Sequence, residues 1–303
     1  MTDIIIIGAG TAGLTAGIYA ARAGKSALIL ESTAYGGQII NTPDIENYPG
    51  IAHISGFDFA QKLYDQAVAL GVKVEFEAAA SIQDEGAVKK VITSGNKTYE
   101  CKAVILATGA KNRHLGLPRE EELTGKGVSY CATCDGMFFR GKDVAVNGGG
   151  NTALGDALYL AGICRKVYII HRRDKFRGAE TDAEKLAKLP NVEFVLNSTV
   201  TALHGEPKLE SIDVTDKTNG AVRNIPVSAL FVAIGQAPDN GAFAGLIRLD
   251  GKGYIEAGED CRTNCEGIFT AGDCRTKTLR QLTTAAADGA MAATAACEYI
   301  DRL

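Results

Sequence analysis

One segment pattern occurs twice in this 303-residue chain, 140 positions apart, and each copy consists of a short apolar run followed by a glycine-rich motif. The first copy is the segment 3–13, DIIIIGAGTAG, and the second is the segment 143–153, DVAVNGGGNTA. Each copy has the order strand, G-x-G-x-x-G/A, helix, and a second apolar run follows at 26–30 and at 166–170. The sequence therefore predicts two βαβ units of the kind that binds dinucleotides.

The small residues of each motif have separate tasks. The first glycine permits a tight turn, the second lets a pyrophosphate approach the backbone, and the third small residue lets the helix lie close to the strand. The phosphates are then expected at the helix N-terminus, where unpaired N–H groups favour anions. The residues predicted to surround them are Gly8, Gly10, Thr11, Ala12 and Gly13 in the first unit and Gly148, Gly150, Asn151, Thr152 and Ala153 in the second.

The residues 23 positions after the first glycine of each motif differ between the two units. The first unit has Glu31, a carboxylate where a ribose diol would lie, which suits FAD or NAD. The second unit has His171, followed by Arg172 and Arg173 and then by Arg177. Because guanidinium groups bind a phosphate dianion through paired hydrogen bonds, this cluster predicts a preference for NADPH over NADH.

Composition limits the remaining classes of protein. Hydrophobic residues make up 46% and charged residues 22% of the chain, which is typical of globular proteins and excludes disorder, collagen and coiled coil. The net charge of −4 argues against a nucleic-acid partner. No apolar run approaches the ~20 residues of a spanning helix, and no signal peptide is recognised, so we expect a cytoplasmic protein without membrane contact.

The eight cysteines of the chain indicate redox or metal chemistry more than a disulfide framework. Cys131 and Cys134 form a C-x-x-C motif that can close a small disulfide, and Asp135 follows directly. A carboxyl group there is placed to protonate or deprotonate a departing thiolate. Two alternatives remain open, a purely structural disulfide and half of a zinc site completed by Cys261 and Cys265 or by one of the four histidines. We predict the redox pair and no metal.

In combination and in order, these motifs resemble the low-molecular-weight, bacterial-type thioredoxin reductases over essentially the whole chain. The resemblance also rests on the segments 36–38 (GGQ), 47–50 (NYPG), 107–109 (ATG), 272–273 (GD) and 280–281 (RQ). It implies that Cys134 faces a flavin, that Cys131 attacks thioredoxin, and that Asp135 is the acid/base. It further implies FAD contacts from Glu31, Gly37, Gln38, Asn47, Thr108, Gly109, Gly272, Asp273, Arg280 and Gln281.

The resemblance also implies an architecture. We expect an α/β fold with two Rossmann-like, three-layer ββα nucleotide-binding domains, one inserted in the other. The FAD-binding domain would comprise 1–112 and 243–303, and the NADPH-binding domain, which carries the C-x-x-C motif, would comprise 113–242. The family forms homodimers and passes electrons from NADPH through FAD to the disulfide of thioredoxin or a thioredoxin-like protein.

The motifs leave two other functions open beside that of a thioredoxin-disulfide reductase. One is a flavoenzyme of the same fold that reduces or oxidises another dithiol or uses another electron donor. The arginine cluster disfavours relatives that lack an NADPH site, and the C-x-x-C motif disfavours ferredoxin–NADP reductases. The other is a nucleotide-binding redox sensor or scaffold without turnover.

Overall fold

The computed structural model describes residues 1–42 and 44–303 and divides them into two compact units. The first unit comprises Met1–Lys111 and Ala237–Leu303, and the second comprises Asn112–Gln236. The second unit is therefore inserted between two parts of the first. The predicted α/β fold class with two Rossmann-like units is confirmed.

The strands of the described residues are β1 (Thr2–Ile7), β2 (Ala27–Leu30), β3 (Lys73–Glu75), β4 (Ala79–Glu85), β5 (Val88–Thr93), β6 (Thr98–Leu106), β7 (Ala110–Asn112), β8 (Val128–Ser129), β9 (Asp143–Gly148), β10 (Lys166–Ile170), β11 (Val192–Val195), β12 (Ser198–His204), β13 (Ser211–Asp216), β14 (Val222–Pro226), β15 (Ala229–Ala233), β16 (Gln236–Pro238) and β17 (Ile268–Thr270).

The α-helices of the same residues are α1 (Thr11–Arg22), α2 (Gly56–Ala69), α3 (Glu120–Leu123), α4 (Ala132–Asp135), α5 (Asn151–Ala161), α6 (Glu180–Ala187) and α7 (Leu282–Ile300). Short 3-10 turns lie at Gly37–Asn41, Gly136–Phe139, Gly241–Phe243 and Gly272–Cys274. None of the helices in the described part of the chain is long and apolar enough to cross a bilayer.

The first unit is built on a seven-stranded sheet. Six of its strands have the order β3-β2-β1-β6-β5-β4, and the seventh, β17, pairs with β6. The strands β3, β2, β1 and β6 are parallel, and the C-terminal half of β6 also pairs in parallel with β17. Residues 4–7 of β1 are all buried. A parallel strand that is covered on both faces requires such an unbroken apolar run, and the sequence shows one.

Small residues let α1 and α7 approach each other closely on one face of this sheet. A Cβ added to Gly289 of α7 would lie 2.2 Å from the carbonyl oxygen of Ala12 in α1. A Cβ added to Gly13 would lie 1.8 Å from the carbonyl oxygen of Gly8. The third glycine of the first motif is therefore needed for the helix to begin directly above the turn.

The second unit has three layers. Its parallel sheet has the order β11-β10-β9-β15-β8, and an antiparallel meander β12-β13-β14 forms a second sheet. In β9, Ala145 packs toward the meander side, whereas Val144 and Val146 pack toward α5. The alternation of side chains along one strand thus joins both cores and produces the ββα layering.

The boundaries of the units differ from the predicted ones by one residue at the first crossing and by six at the second. Residues 237–242 belong to the first unit, because the buried side chain of Asn240 forms hydrogen bonds with other residues of that unit. Its Nδ2 group donates to the carbonyl oxygens of Gly253 (2.9 Å) and Cys274 (3.0 Å), and its Oδ1 accepts from Thr108 (2.7 Å). These tertiary hydrogen bonds leave no signal in the local sequence.

Candidate active site

The two cysteines of the C-x-x-C motif are bonded to each other. Cys131 precedes the short helix α4 and Cys134 lies within it, so that their Cα atoms are 5.3 Å apart and their sulfur atoms 2.09 Å apart. Because each sulfur is occupied by this bond, the pair does not act as half of a zinc site in this state. The thiols of Cys261 and Cys265 donate hydrogen bonds to two different groups. Cys261 donates to the carbonyl oxygen of Asp288, and Cys265 donates to the carboxylate of Asp84.

Asp135 supplies a buried carboxyl group next to this disulfide. Its backbone N–H donates to the carbonyl oxygen of Cys131 (3.1 Å), which completes the single turn of α4. Its Oδ2 accepts a hydrogen bond from the hydroxyl of Ser129 (2.7 Å), whereas Oδ1 is buried without a partner among the described residues. Burial raises the pKa of Asp135, and the Ser129 hydrogen bond opposes this rise. The group is therefore suited to hold a proton.

The first glycine motif forms a cradle that is open on one side. Gly8 has a φ of +109°, and a Cβ there would lie 2.3 Å from the carbonyl oxygen of Ala107. At Gly10, by contrast, a Cβ would meet only the carbonyl oxygen of Gly36, at 4.0 Å. The turn at 36–38 lies alongside, since the N–H of Gly36 donates to the carbonyl oxygen of Ala9 (2.8 Å). The structure thus brings Gly37 and Gln38 beside the loop at 8–13.

Glu31 joins the end of β2 to the same loop. Its Oε2 accepts from the backbone N–H of Ala9 (2.8 Å), and its Oε1 accepts from the N–H of Thr33 (3.0 Å). The side chain is largely buried, so these bonds hold the carboxylate in one place. Oε1 also accepts from the hydroxyls of Ser32 (3.2 Å) and Thr33 (3.4 Å), whereas Oε2 keeps a further lone pair for a ribose hydroxyl.

The predicted residues of the C-terminal segment gather at the start of α7. Asp273 is half-buried in the turn at 272–274, and its Oδ1 atom is buried with no hydrogen-bond partner within the described part of the chain. Burial raises the pKa of Asp273, while Lys277 and Arg280 oppose the rise. Gln281 is the N-cap of α7, and its Oε1 accepts from Nδ2 of Asn47 (3.1 Å). The structure thus places Asn47 and Gln281 together across a long sequence separation.

The remaining predicted residues of this unit have defined surroundings. The guanidinium of Arg280 lies 4.2 Å from the ring centroid of Tyr254 and donates to the carbonyl oxygen of Arg275 (3.1 Å). Thr108 and Gly109 follow β6, and the Thr108 hydroxyl bonds to Asn240. Thr11 and Ala12 form the buried first turn of α1. They lie directly after the open glycine at position 10.

The second glycine motif shares two packing features with the first, a crowded first glycine and an open second one. A Cβ at Gly148 would lie 2.4 Å from the carbonyl oxygen of Ala233 and 2.7 Å from the Cβ of Ala153, so both residues must be small. A Cβ at Gly150 would meet nothing within 4 Å, which leaves this side of the loop open. Asn151 and Thr152 begin α5, and Oδ1 of Asn151 accepts from the N–H of Ala179 (2.8 Å).

The arginine loop is tied to this second motif. The backbone N–H groups of Arg177 and Gly178 both donate to the carbonyl oxygen of Gly149, at 2.7 and 3.1 Å. The side chains of Arg172, Arg173 and Arg177 are exposed, and none has an ion pair within residues 1–42 and 44–303. Three guanidinium groups without an acidic partner are thus held beside the open glycine loop.

His171 lies inside this loop. Its ring is buried, and its Nε2 donates to the carbonyl oxygen of Lys175 (3.1 Å). Burial lowers the pKa of His171, and the nearby Arg177, Arg173 and Arg172 lower it further. The ring is therefore neutral near pH 7 and packs within the protein.

Two groups of buried polar residues near these sites were not found from the sequence. Asp288 of α7 accepts from Gly272 N–H (2.9 Å), Arg275 (2.7 and 2.8 Å) and Lys277 (2.8 Å). Glu120 accepts from the N–H groups of residues 115–117 and from the hydroxyl of Tyr130, the residue before Cys131. An acidic residue within an apolar segment was the signal for Asp288, whereas Glu120 lies in the charged run 119–122, and residues in such a run are usually exposed.

The chain matches a known protein family over almost its whole length. The family model for pyridine nucleotide-disulphide oxidoreductases matches residues 2–289. The thioredoxin reductase of Treponema pallidum is 45% identical over 302 residues, which cover 99% of this chain and 98% of that protein. The chain belongs to the thioredoxin reductases of this family. Membership implies a flavin and a pyridine nucleotide, and the Cys131–Cys134 pair fits the redox disulfide.

Solved structures agree with this assignment. The thioredoxin reductase of Streptococcus pyogenes has a TM-score of 0.94 and 41% identity, with 100% of this chain and 99% of that chain covered. A further relative by sequence is the "bifunctional thioredoxin reductase/thioredoxin" of Mycobacterium leprae. It is 39% identical over 293 residues, which cover 96% of this chain and 64% of that protein. The fold is thus shared with solved members of this family.

Proposed function

We propose that this chain is an NADPH-dependent flavoenzyme that reduces the disulfide of thioredoxin or a thioredoxin-like protein. The observation that carries the proposal is the Cys131–Cys134 disulfide beside the buried carboxyl group of Asp135. A related chain of almost the same length is named thioredoxin reductase, and a longer relative combines that name with thioredoxin in one protein.

The first unit, 1–111 with 237–303, is proposed to bind FAD. The loop is open at Gly10, the Glu31 carboxylate is held at the end of β2, and the buried Oδ1 of Asp273 has no partner among the described residues. An open cradle and an unpaired buried oxygen are what a bound dinucleotide with a polar chain would complete. The other FAD-binding residues are proposed to be Thr11, Ala12, Gly13, Gly37, Gln38, Asn47, Thr108, Gly109, Gly272, Arg280 and Gln281.

The second unit, 112–236, is proposed to bind NADPH. Its loop is open at Gly150, and the exposed guanidinium groups of Arg172, Arg173 and Arg177 suit a 2′-phosphate. Gly148, Asn151, Thr152, Ala153 and His171 complete the proposed set. When bound, the nicotinamide and the flavin supply the electron pair that opens a disulfide.

The chain's own residues then perform thiol–disulfide exchange. The Cys131 thiolate attacks one sulfur of the thioredoxin disulfide, which forms a mixed disulfide and releases a thiolate of thioredoxin. The Cys134 thiolate then attacks Cys131, which reforms the disulfide of this chain and releases the second thiolate. Asp135 accepts a proton from an enzyme thiol and returns it to a departing sulfur, so that two thiol protons pass to thioredoxin.

The assembly and location are proposals of the same kind. A homodimer is proposed on the family resemblance, and sedimentation of the purified protein would test it. A cytoplasmic location is proposed because the six other cysteines are free thiols, as is typical of a reducing compartment.

The proposed function is tested with purified protein. The visible spectrum should show a bound flavin, and NADPH oxidation should depend on oxidised thioredoxin. Cys134→Ser should abolish this dependent oxidation, whereas the matched control Cys265→Ser, which changes a partly buried free thiol, should retain it. Equal rates with and without thioredoxin would refute the proposal.

A further inference from the structure

We propose that Ser129 is a positioning residue for proton transfer at the redox pair, because its hydroxyl joins the backbone of Cys131 to the carboxyl group of Asp135. This inference rests on the proposed function and assigns to that chemistry a residue outside the C-x-x-C-D motif.

Ser129 is held firmly in the core of the second unit. It is the last residue of β8, which pairs in parallel with β15, where Phe231 lies opposite it. Only 4% of its surface is exposed. Burial of a small hydroxyl in this way is favourable only where its hydrogen bonds are satisfied, so the contacts of the group identify its role.

The hydroxyl of Ser129 has one proton to donate and contacts two acceptors. It lies 2.7 Å from Oδ2 of Asp135 and 3.4 Å from the carbonyl oxygen of Cys131. The shorter contact with the carboxyl group takes the proton when that group is ionised. Its oxygen simultaneously accepts the backbone N–H of Cys131 (3.1 Å). A single side chain therefore orients the carboxyl group relative to the first cysteine.

No second group in the described residues shares this task. Oδ1 of Asp135 is buried without a partner, and burial and the Ser129 hydrogen bond are the influences on its pKa. The helix α4 packs against α5, whose titratable residues are Asp156 and Tyr159, and against the turn 136–139, which has none. In the disulfide state the two sulfur atoms are uncharged. Among the described residues, Ser129 is thus the group that favours the ionised form of Asp135.

The proposed thiol–disulfide exchange requires the ionised form of Asp135 as well as the protonated form. A carboxylate must accept the proton of an attacking thiol, and the resulting acid must return it to the departing sulfur. Burial favours the protonated form of Asp135, and a side chain that rotated freely would not hold its carboxyl group in one orientation. The donated hydrogen bond opposes both effects.

The test compares Ser129→Ala with the conservative variant Ser129→Thr, which keeps the hydroxyl. Infrared titration of the oxidised holoprotein reports the Asp135 carboxyl band, which is assigned by its loss in Asp135→Asn. We expect the midpoint to move to higher pH in Ser129→Ala and to remain close to wild type in Ser129→Thr. Turnover with thioredoxin should fall about tenfold in Ser129→Ala, and the limb of the pH profile that follows Asp135 should shift with the infrared midpoint.

An unchanged infrared midpoint in Ser129→Ala with an intact circular dichroism spectrum would overturn the inference. So would an equal loss of turnover in both variants, because a purely structural role would not distinguish them. Absence of thioredoxin reduction by the wild-type protein would refute the proposed function, yet the infrared titration would still report on Ser129 and Asp135. The two failures are therefore distinguishable.

Discussion

The imidazole ring of His171 lies directly against Gly149: a Cβ on that glycine would come within 2.2 Å of Nδ1 of the histidine. The carbonyl oxygen of the same glycine accepts the N–H groups of Arg177 and Gly178. Gly149 is the second of three consecutive glycines and is not one of the G-x-G-x-x-A positions. The glycine loop and the arginine loop thus meet at this residue.

Gly149→Ala is expected to weaken NADPH binding by about tenfold, because the new methyl group must displace the ring of His171 and with it the arginine loop. The measurement is the Kd for NADPH by titration calorimetry. The matched control is Gly155→Ala in α5, where a Cβ meets nothing within 4 Å, and it should leave the Kd unchanged while stabilising the fold by about 0.5–1 kcal/mol. Equal Kd values for Gly149→Ala and wild type would contradict the expectation.

Replacement of both Arg172 and Arg173 by alanine should raise the KM for NADPH about 10- to 100-fold and the KM for NADH less than about threefold. Each exposed guanidinium can donate charge-assisted hydrogen bonds to a 2′-phosphate, which NADH lacks. Arg223→Ala removes an exposed arginine from β14 of the same unit and should change neither KM. A parallel rise of both KM values would show that the two arginines do not recognise the phosphate.

Asp288→Asn should destabilise the protein by about 3–5 kcal/mol in denaturant unfolding. The substitution leaves the buried cations of Arg275 and Lys277 without their shared carboxylate and weakens the bond to Gly272 N–H. Glu298→Gln on the same helix changes an exposed residue with longer ion pairs and should cost less than about 0.5 kcal/mol. Similar unfolding free energies for the two variants would refute this role of Asp288.

Asp288 is also expected to make the free energy of unfolding depend on pH. Burial acts to raise the pKa of Asp288, but the hydrogen bonds from Arg275 and Lys277 outweigh it and hold the pKa below its usual value of 3.8. A depressed pKa in the folded state contributes stability above about pH 4, and this contribution is lost as the pH falls through the folded-state pKa. The free energy of unfolding should therefore fall below pH 4, and more gently in Asp288→Asn. An identical slope in both proteins would exclude Asp288 as a source of this dependence.

Thiol counting should distinguish one redox pair from two. The oxidised protein contains one disulfide and six free cysteines, so alkylation after denaturation should label six thiols, and eight after reduction. A variant with serine at both 131 and 134 should give six labels in either state. Loss of four thiols on oxidation of the wild-type protein would indicate a second disulfide.

The sequence was sufficient for the two βαβ units, because their signals are local. The apolar residues 4–7 and 144–146 occupy parallel strands buried on both faces, and the glycines at 8 and 148 are required where a Cβ would strike a neighbouring carbonyl oxygen. The predicted strand 166–170 has the same bounds in β10. Backbone geometry and burial along one strand restrict residue type at fixed spacings, and these restrictions are visible in a single chain.

The sequence by itself thus determined the fold class, the two glycine loops and the cysteine pair as a candidate redox centre. Tertiary structure alone decided the contacts of Ser129 with Asp135, of His171 with Gly149, and of Asp288 with Arg275 and Lys277. It also assigned residues 237–242 to the first unit through Asn240. The physical reason is that a buried polar group is stabilised by its hydrogen-bond partner, and the partner is set by how distant segments pack rather than by the spacing of residues along the chain.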